Sequence, residues 1–130
     1  MNIELLEKEI EKTEYWDMRI WDVQTEYFGD EVHIFIENDI KTCWKISFLS
    51  CYKVNYETDA NWRGDFKVKN MRGGQLGYDG QDISIKKHEV NDSFLHCKLD
   101  LSIMSMEIIC KDISVEEIDM EDVSFFWQNK

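Results

Sequence analysis

The chain has 130 residues, 43% of them hydrophobic and 32% charged, with 27 acidic against 15 basic side chains. That length fits a single domain of residues 1–130, and 13% aromatic content excludes intrinsic disorder. A formal net charge of −12 excludes sequence-independent nucleic-acid binding, which needs surplus Lys and Arg, and no run reaches the roughly 18–20 apolar residues of a membrane span.

Residues 1–13 predict a short amphipathic helix. Ile3, Leu6 and Ile10 share one face, Glu4, Glu7 and Glu11 lie elsewhere, and Asn2 is placed to cap it. From residue 14 to 56 the hydrophobic period is two, the mark of a β-meander. Met18 and Ile20 alternate with charge; Trp21, Val23, Thr25 and Tyr27 then take the other phase, so a β-bulge or a change of face is expected at Ile20-Trp21. Gly29-Asp30 turns the chain into Val32, Ile34 and Ile36, and Asn38-Asp39 turns it again. One long strand is expected from Thr42 to Tyr56, with Trp44, Ile46, Phe48, Tyr52 and Val54 on one face.

Residues 57–82 break the pattern. Five of the six glycines fall between Gly64 and Gly80, among Arg63, Lys67, Lys69 and Arg72, so an extended Gly-rich loop is expected, with one short strand near Phe66–Val68. Residues 83–130 form a second β part. Leu95, Cys97, Leu99, Leu101 and Ile103 alternate cleanly; Met104, Met106, Ile108 and Cys110 follow on the opposite phase, after a bulge or a tight turn. Asp112–Asp122 holds six acids and no base and reads either as a strand or as a helix capped by Ser114 and Glu117. The chain as a whole predicts a mainly β fold: an antiparallel sandwich or partly open barrel of seven to nine strands, with a short N-terminal helix.

Cys43, Cys51, Cys97 and Cys110 form no C-x-x-C pair and sit at apolar strand positions, so they read as reduced core thiols. With no basic and apolar leader at the N-terminus, the expected location is cytoplasmic. His33, His88 and His96 are scattered; His33 and His96 read as partly buried histidines bonded to backbone, and no metal or cofactor is expected. Adjacent residues on a strand face opposite ways, so His96 and Cys97 make no catalytic pair. Asn91-Asp92-Ser93 reads as turn chemistry. No catalytic constellation is visible, and the chain reads as non-enzymatic.

The segment Tyr15-Trp16-Asp17-Met18-Arg19-Ile20, followed by Val23-x-Thr25-x-Tyr27, a Gly-Asp turn and Val32-x-Ile34-x-Ile36-Glu37, resembles the small bacterial immunity-type proteins of polymorphic toxin systems over roughly residues 13–56. The resemblance implies a cytoplasmic protein that binds a cognate toxin domain and blocks it, and many such toxins are basic nucleases. The acidic charge agrees with a basic protein partner. Candidate contact residues are Glu116, Glu117, Asp119, Glu121 and Asp122 for charge, with Trp62 and Tyr78 as aromatic anchors. The alternative function is a small-ligand or carbohydrate-binding β domain with residues 57–82 as its lid.

Overall fold

The computed structural model describes residues 2–59, 61 and 64–128. Helix α1 (Ile3–Glu11) begins where the Asn2 side chain accepts the Leu5 N–H at 3.2 Å, and it buries Ile10 while half-burying Ile3 and Leu6. Thr13 ends it by donating its hydroxyl to the Ile10 carbonyl at 2.7 Å. Among the described residues eight strands follow: β1 (Ile20–Glu26), β2 (Glu31–Glu37), β3 (Thr42–Leu49), β4 (Lys53–Thr58), β5 (Tyr78–Lys87), β6 (Leu95–Ser102), β7 (Met104–Cys110) and β8 (Asp112–Asp119). They make two four-stranded antiparallel sheets, ordered β1-β2-β3-β8 and β4-β7-β6-β5. The fold is the expected mainly β sandwich with one short N-terminal helix. Helix α1 packs against β5 and β8, an outer strand of each sheet.

The bulge expected at Ile20-Trp21 is present: Ile20 pairs with Ile36 and Asp22 with Phe35, leaving Trp21 as the extra residue. Strand pairing starts only at Ile20, however. Residues 15–19 instead clamp the start of β5, with Asp17 N–H donating to the Gly80 carbonyl at 2.8 Å and Gly80 N–H to the Met18 carbonyl at 2.9 Å.

The single strand expected from Thr42 to Tyr56 is two strands in different sheets. Ser50 adopts φ 53, a left-handed conformation that ends β3 and redirects the chain into β4. The partner strands turn the same corner, because β3 pairs with β8 and β4 with β7. Hydrogen bonds continue through it, from Lys111 N–H to the Leu49 carbonyl and from Tyr52 N–H to the Ile109 carbonyl, both at 3.0 Å. The inner face of β3 carries Trp44, Ile46 and Phe48 as expected, whereas Tyr52 lies exposed on the corner.

At Ser102-Ile103 the chain makes a tight turn, with Ser102 at φ 72 and Leu101 paired to Met104. Residues 112–119 are a strand, not a helix. The region expected as loop is shorter than 57–82, since β4 runs to Thr58 and β5 starts at Tyr78. No strand forms near Phe66–Val68. Phe66 is exposed, the chain makes 3-10 turns at Val68–Asn70 and Gly73–Gln75, and buried Met71 and Leu76 anchor it.

The main core lies between the sheets, where Val32, Ile34, Ile36, Ile46, Phe48, Leu101 and Ile108 are fully buried. A second cluster forms on the outer face of the first sheet. There the C-terminal segment folds back so that Phe125 packs edge-on against Phe35 (centroids 5.1 Å apart) and Trp127 meets Trp21 (4.7 Å), while the Trp127 indole N–H donates to the Trp21 carbonyl at 2.7 Å.

Candidate functional site

Glu116, Glu117, Asp119, Glu121 and Asp122 are all exposed, strung along the outer strand β8 and the 3-10 turn Met120–Asp122. The strand pleat divides them between two faces. Glu116 shares a face with Lys45, whose Nζ lies 4.0 Å away; Glu117 lies on the other and accepts an N–H from the Asn38 amide at 2.9 Å. Ile118, on the same face as Glu116, packs against the C-terminal cluster. The acids therefore form a ridge that wraps an edge, not a flat patch. Acidic side chains on an outer strand also discourage edge-to-edge pairing with other chains.

Tyr78 is half-buried at the start of β5, its hydroxyl 2.9 Å from Thr58 Oγ1. Trp62 lies outside the described residues.

Sequence reasoning missed the tip between β1 and β2. The turn there spans Tyr27 to Asp30 rather than Gly29-Asp30 alone. Tyr27 (φ 55) and Phe28 (φ 57) both hold left-handed backbone, followed by Gly29 at φ 91, and both aromatic side chains stand in solvent. Left-handed backbone at bulky residues is strained, and exposed aromatics on a fixed turn are typical interface anchors. The available signal was Tyr27-Phe28 abutting Gly29; alternation absorbed Tyr27 into the strand instead. The pairings Glu31–Leu49 and Leu49–Asp112 put this tip beside the start of β8, at the opposite end of the sheet from the acidic ridge.

His33 and His96 differ from expectation too, since their partners are side chains and not backbone. The His33 ring nitrogens lie 2.7 Å from Ser47 Oγ and 3.2 and 3.5 Å from the Glu31 and Glu26 carboxylates. His96 Nε2 is 2.8 Å from Glu107, and that contact, with a second from Lys53, holds the Glu107 carboxyl below its ordinary value. The four cysteines are buried and unpaired. Burial pushes the Cys43 thiol up to about 11; at Cys110 a lowering contact with Cys51 is outweighed by Cys97 and by burial, which push the thiol up to about 12, so both are poor nucleophiles.

Beside the free edge of β1 lies a half-open pocket of about 150 Å3, lined by Trp21, Tyr78 and Phe126 with Val68 and Leu76 of the long loop. It is smaller than the roughly 300–1,000 Å3 usual for small-molecule sites, whereas two more open depressions, one beside Tyr56, Glu57 and Asp82 (about 400 Å3) and one beside Arg72, Gly73 and Trp127 (about 610 Å3), reach that size. Asp22 sits at its wall, and burial raises its carboxyl above the ordinary 3.8 despite hydrogen bonds from Val23 N–H and Gln24 Nε2. A raised carboxyl means that the ionised group costs folding stability at neutral pH, and the cost disappears as the pH falls below the unfolded chain's value. Asp22→Asn is expected to raise Tm by a few degrees at pH 7 and to leave it unchanged near pH 3. Equal Tm at pH 7 in parallel calorimetric scans would refute that assignment.

The family model for Immunity protein PIM7 matches residues 2–117. No curated protein matches the chain. Among solved structures, the crystal structure of an uncharacterized protein from Neisseria gonorrhoeae is similar at a TM-score of 0.52 and 10% identity, covering 78% of this chain and 92% of that one; the likeness shows a shared fold alone. The family match ends inside β8, so the C-terminal segment that seals the outer face lies beyond it. It takes in the cap of α1 and every other strand, and on that extent the chain belongs to the Immunity protein PIM7 family.

Proposed function

We propose that this protein is a stoichiometric, non-enzymatic inhibitor that binds a cognate toxin domain and neutralises it, and that the toxin surface it covers is basic. The family match over residues 2–117 carries the immunity role. The basic character of the partner is supported by the net charge of −12 and by the acidic ridge of Glu116, Glu117, Asp119, Glu121 and Asp122, which Lys45 approaches only at 4.0 Å. Opposed charge speeds encounter and rejects wrong partners. Cytoplasmic residence belongs to the same proposal, supported by four buried, unpaired thiols that a reducing compartment suits.

Co-expression with the toxin domain encoded by the adjacent gene tests the role: a one-to-one complex and restored growth are expected. Changing the five acids to lysine together is expected to slow association about 10- to 1,000-fold and to flatten its dependence on salt. Unchanged affinity and salt slope would remove the ridge from the interface while leaving the immunity role intact. Absence of both complex and rescue for the unaltered protein would overturn the role itself.

A further inference from the structure

The register of the first sheet places Glu26 of β1 directly across from Glu31 of β2, and His33 directly across from Ser47 of β3. Two carboxylates directly opposed across a strand pair repel each other. Among the described residues, the ion pairs of both are with His33. The His33 side chain is only 7% exposed, and its Nε2 faces Glu31 Oε1 at 3.2 Å and Glu26 Oε2 at 3.5 Å, with its Nδ1 2.7 Å from Ser47 Oγ. One ligand atom from each of the three residues lies within 4.8 Å of the other two.

Apart from the imidazolium, which donates from Nε2 to the carboxylates and from Nδ1 to Ser47 Oγ, this arrangement has two self-consistent states. In one, Nε2 carries a proton shared between the carboxylates and Nδ1 accepts the Ser47 hydroxyl proton. In the other, Nδ1–H donates to Ser47 Oγ, and the Nε2 lone pair faces two anions, a state that requires a cation in the gap. We propose that Glu26, Glu31 and His33 form a divalent-metal site that takes Zn2+. At bond lengths of about 2.1 Å a tetrahedral ion separates its ligand atoms by about 3.4 Å, which the two nitrogen–oxygen distances bracket. Imidazole nitrogen and carboxylate oxygen are both zinc ligands, the imidazole favours zinc over Mg2+ and Ca2+, and a hydrogen-bonded second ring nitrogen is the support that fixes such a histidine's tautomer. Three protein ligands leave the fourth position to water or to a group from a bound partner. The site sits immediately below the exposed Tyr27-Phe28 tip, so a bound ion would tie together the strand ends from which that tip projects.

The test is zinc titration of the full chain, stripped with chelator, followed by calorimetry and by thermal unfolding. Binding at one ion per chain is expected, with a rise in Tm of about 5 °C or more at a hundredfold excess over Kd. Glu26→Gln and Glu31→Gln are each expected to weaken zinc binding at least tenfold while folding normally without metal, because each also removes the opposed charge. His33→Gln tests the ring, and the two glutamate variants keep the test decisive if that buried change impairs folding. Wild-type zinc affinity in Glu26→Gln and Glu31→Gln would overturn the site and assign the ion to the thiols or the general acidic surface. An equal rise with Mg2+ at the same concentration would also overturn it, as plain screening of the negative charge. A wild-type chain that does not bind zinc would overturn it outright.

Discussion

Phe48→Ala is expected to lower the unfolding free energy by about 3–5 kcal/mol, the range for truncating a buried aromatic side chain. Phe48 has no exposed surface, and its register neighbours Val32 and Ile113 belong to the same core. It stands two residues before the Ser50 corner, where β3 and β8 hand the chain to the second sheet. Removing the ring therefore opens a void at the joint between sheets, where the backbone is least able to collapse into it. In a domain of this length the loss corresponds to a fall in Tm of about 10–20 °C, and it is a large share of the ~5–15 kcal/mol total typical of such domains. Urea unfolding followed by tryptophan fluorescence measures it directly. A loss under about 1 kcal/mol would mean that the corner relaxes and that the sheets are not locked through Phe48.

Gly80→Ala is expected to cost about 2–3 kcal/mol, for a different reason. A Cβ at Gly80 would collide with the backbone carbonyl oxygen of Tyr15 and press on the Tyr15 ring edge at 3.1 Å. Relief would require breaking the reciprocal bonds between Gly80 and residues 17 and 18, and would displace Tyr15, whose hydroxyl accepts the Ile83 N–H at 3.0 Å. Gly74→Ala is the control, because a Cβ there meets nothing within 4 Å; its stability is expected to stay within about 0.5 kcal/mol of wild type. Equal stability of the two variants would show that the 15–19 segment does not need close approach to β5.

Much of the sandwich was legible in the pattern of side chains. Leu95, Cys97, Leu99 and Leu101 alternate with polar residues, and all four are buried on one face of β6. The change of phase at Ile20-Trp21 marks a real bulge, and Asn2 caps α1. The candidate site was legible only as composition: the acids of 116–122 are exposed as a charged run should be, but their division between two faces follows from β8 being a strand. The cluster of Glu26, Glu31 and His33 left no mark in local spacing. Read singly, these are two strand-end acids and a histidine among apolar neighbours, and only the pairing of β1 with β2 and β2 with β3 brings them and Ser47 together.

By itself the sequence determined most element types, the inward face of most strands, the acidic surface and the family resemblance, because side-chain period and charge are local properties of the chain. The tertiary structure decided the rest. Whether Thr42–Tyr56 is one strand or two depends on residues 104–119, which supply partners in both sheets. Whether Phe35 and Cys43 face solvent or a second core depends on Phe125 and Trp127 folding back from the far end of the chain. These are pairings between residues some fifty to ninety positions apart, selected by the burial each one makes possible, and no local period encodes them.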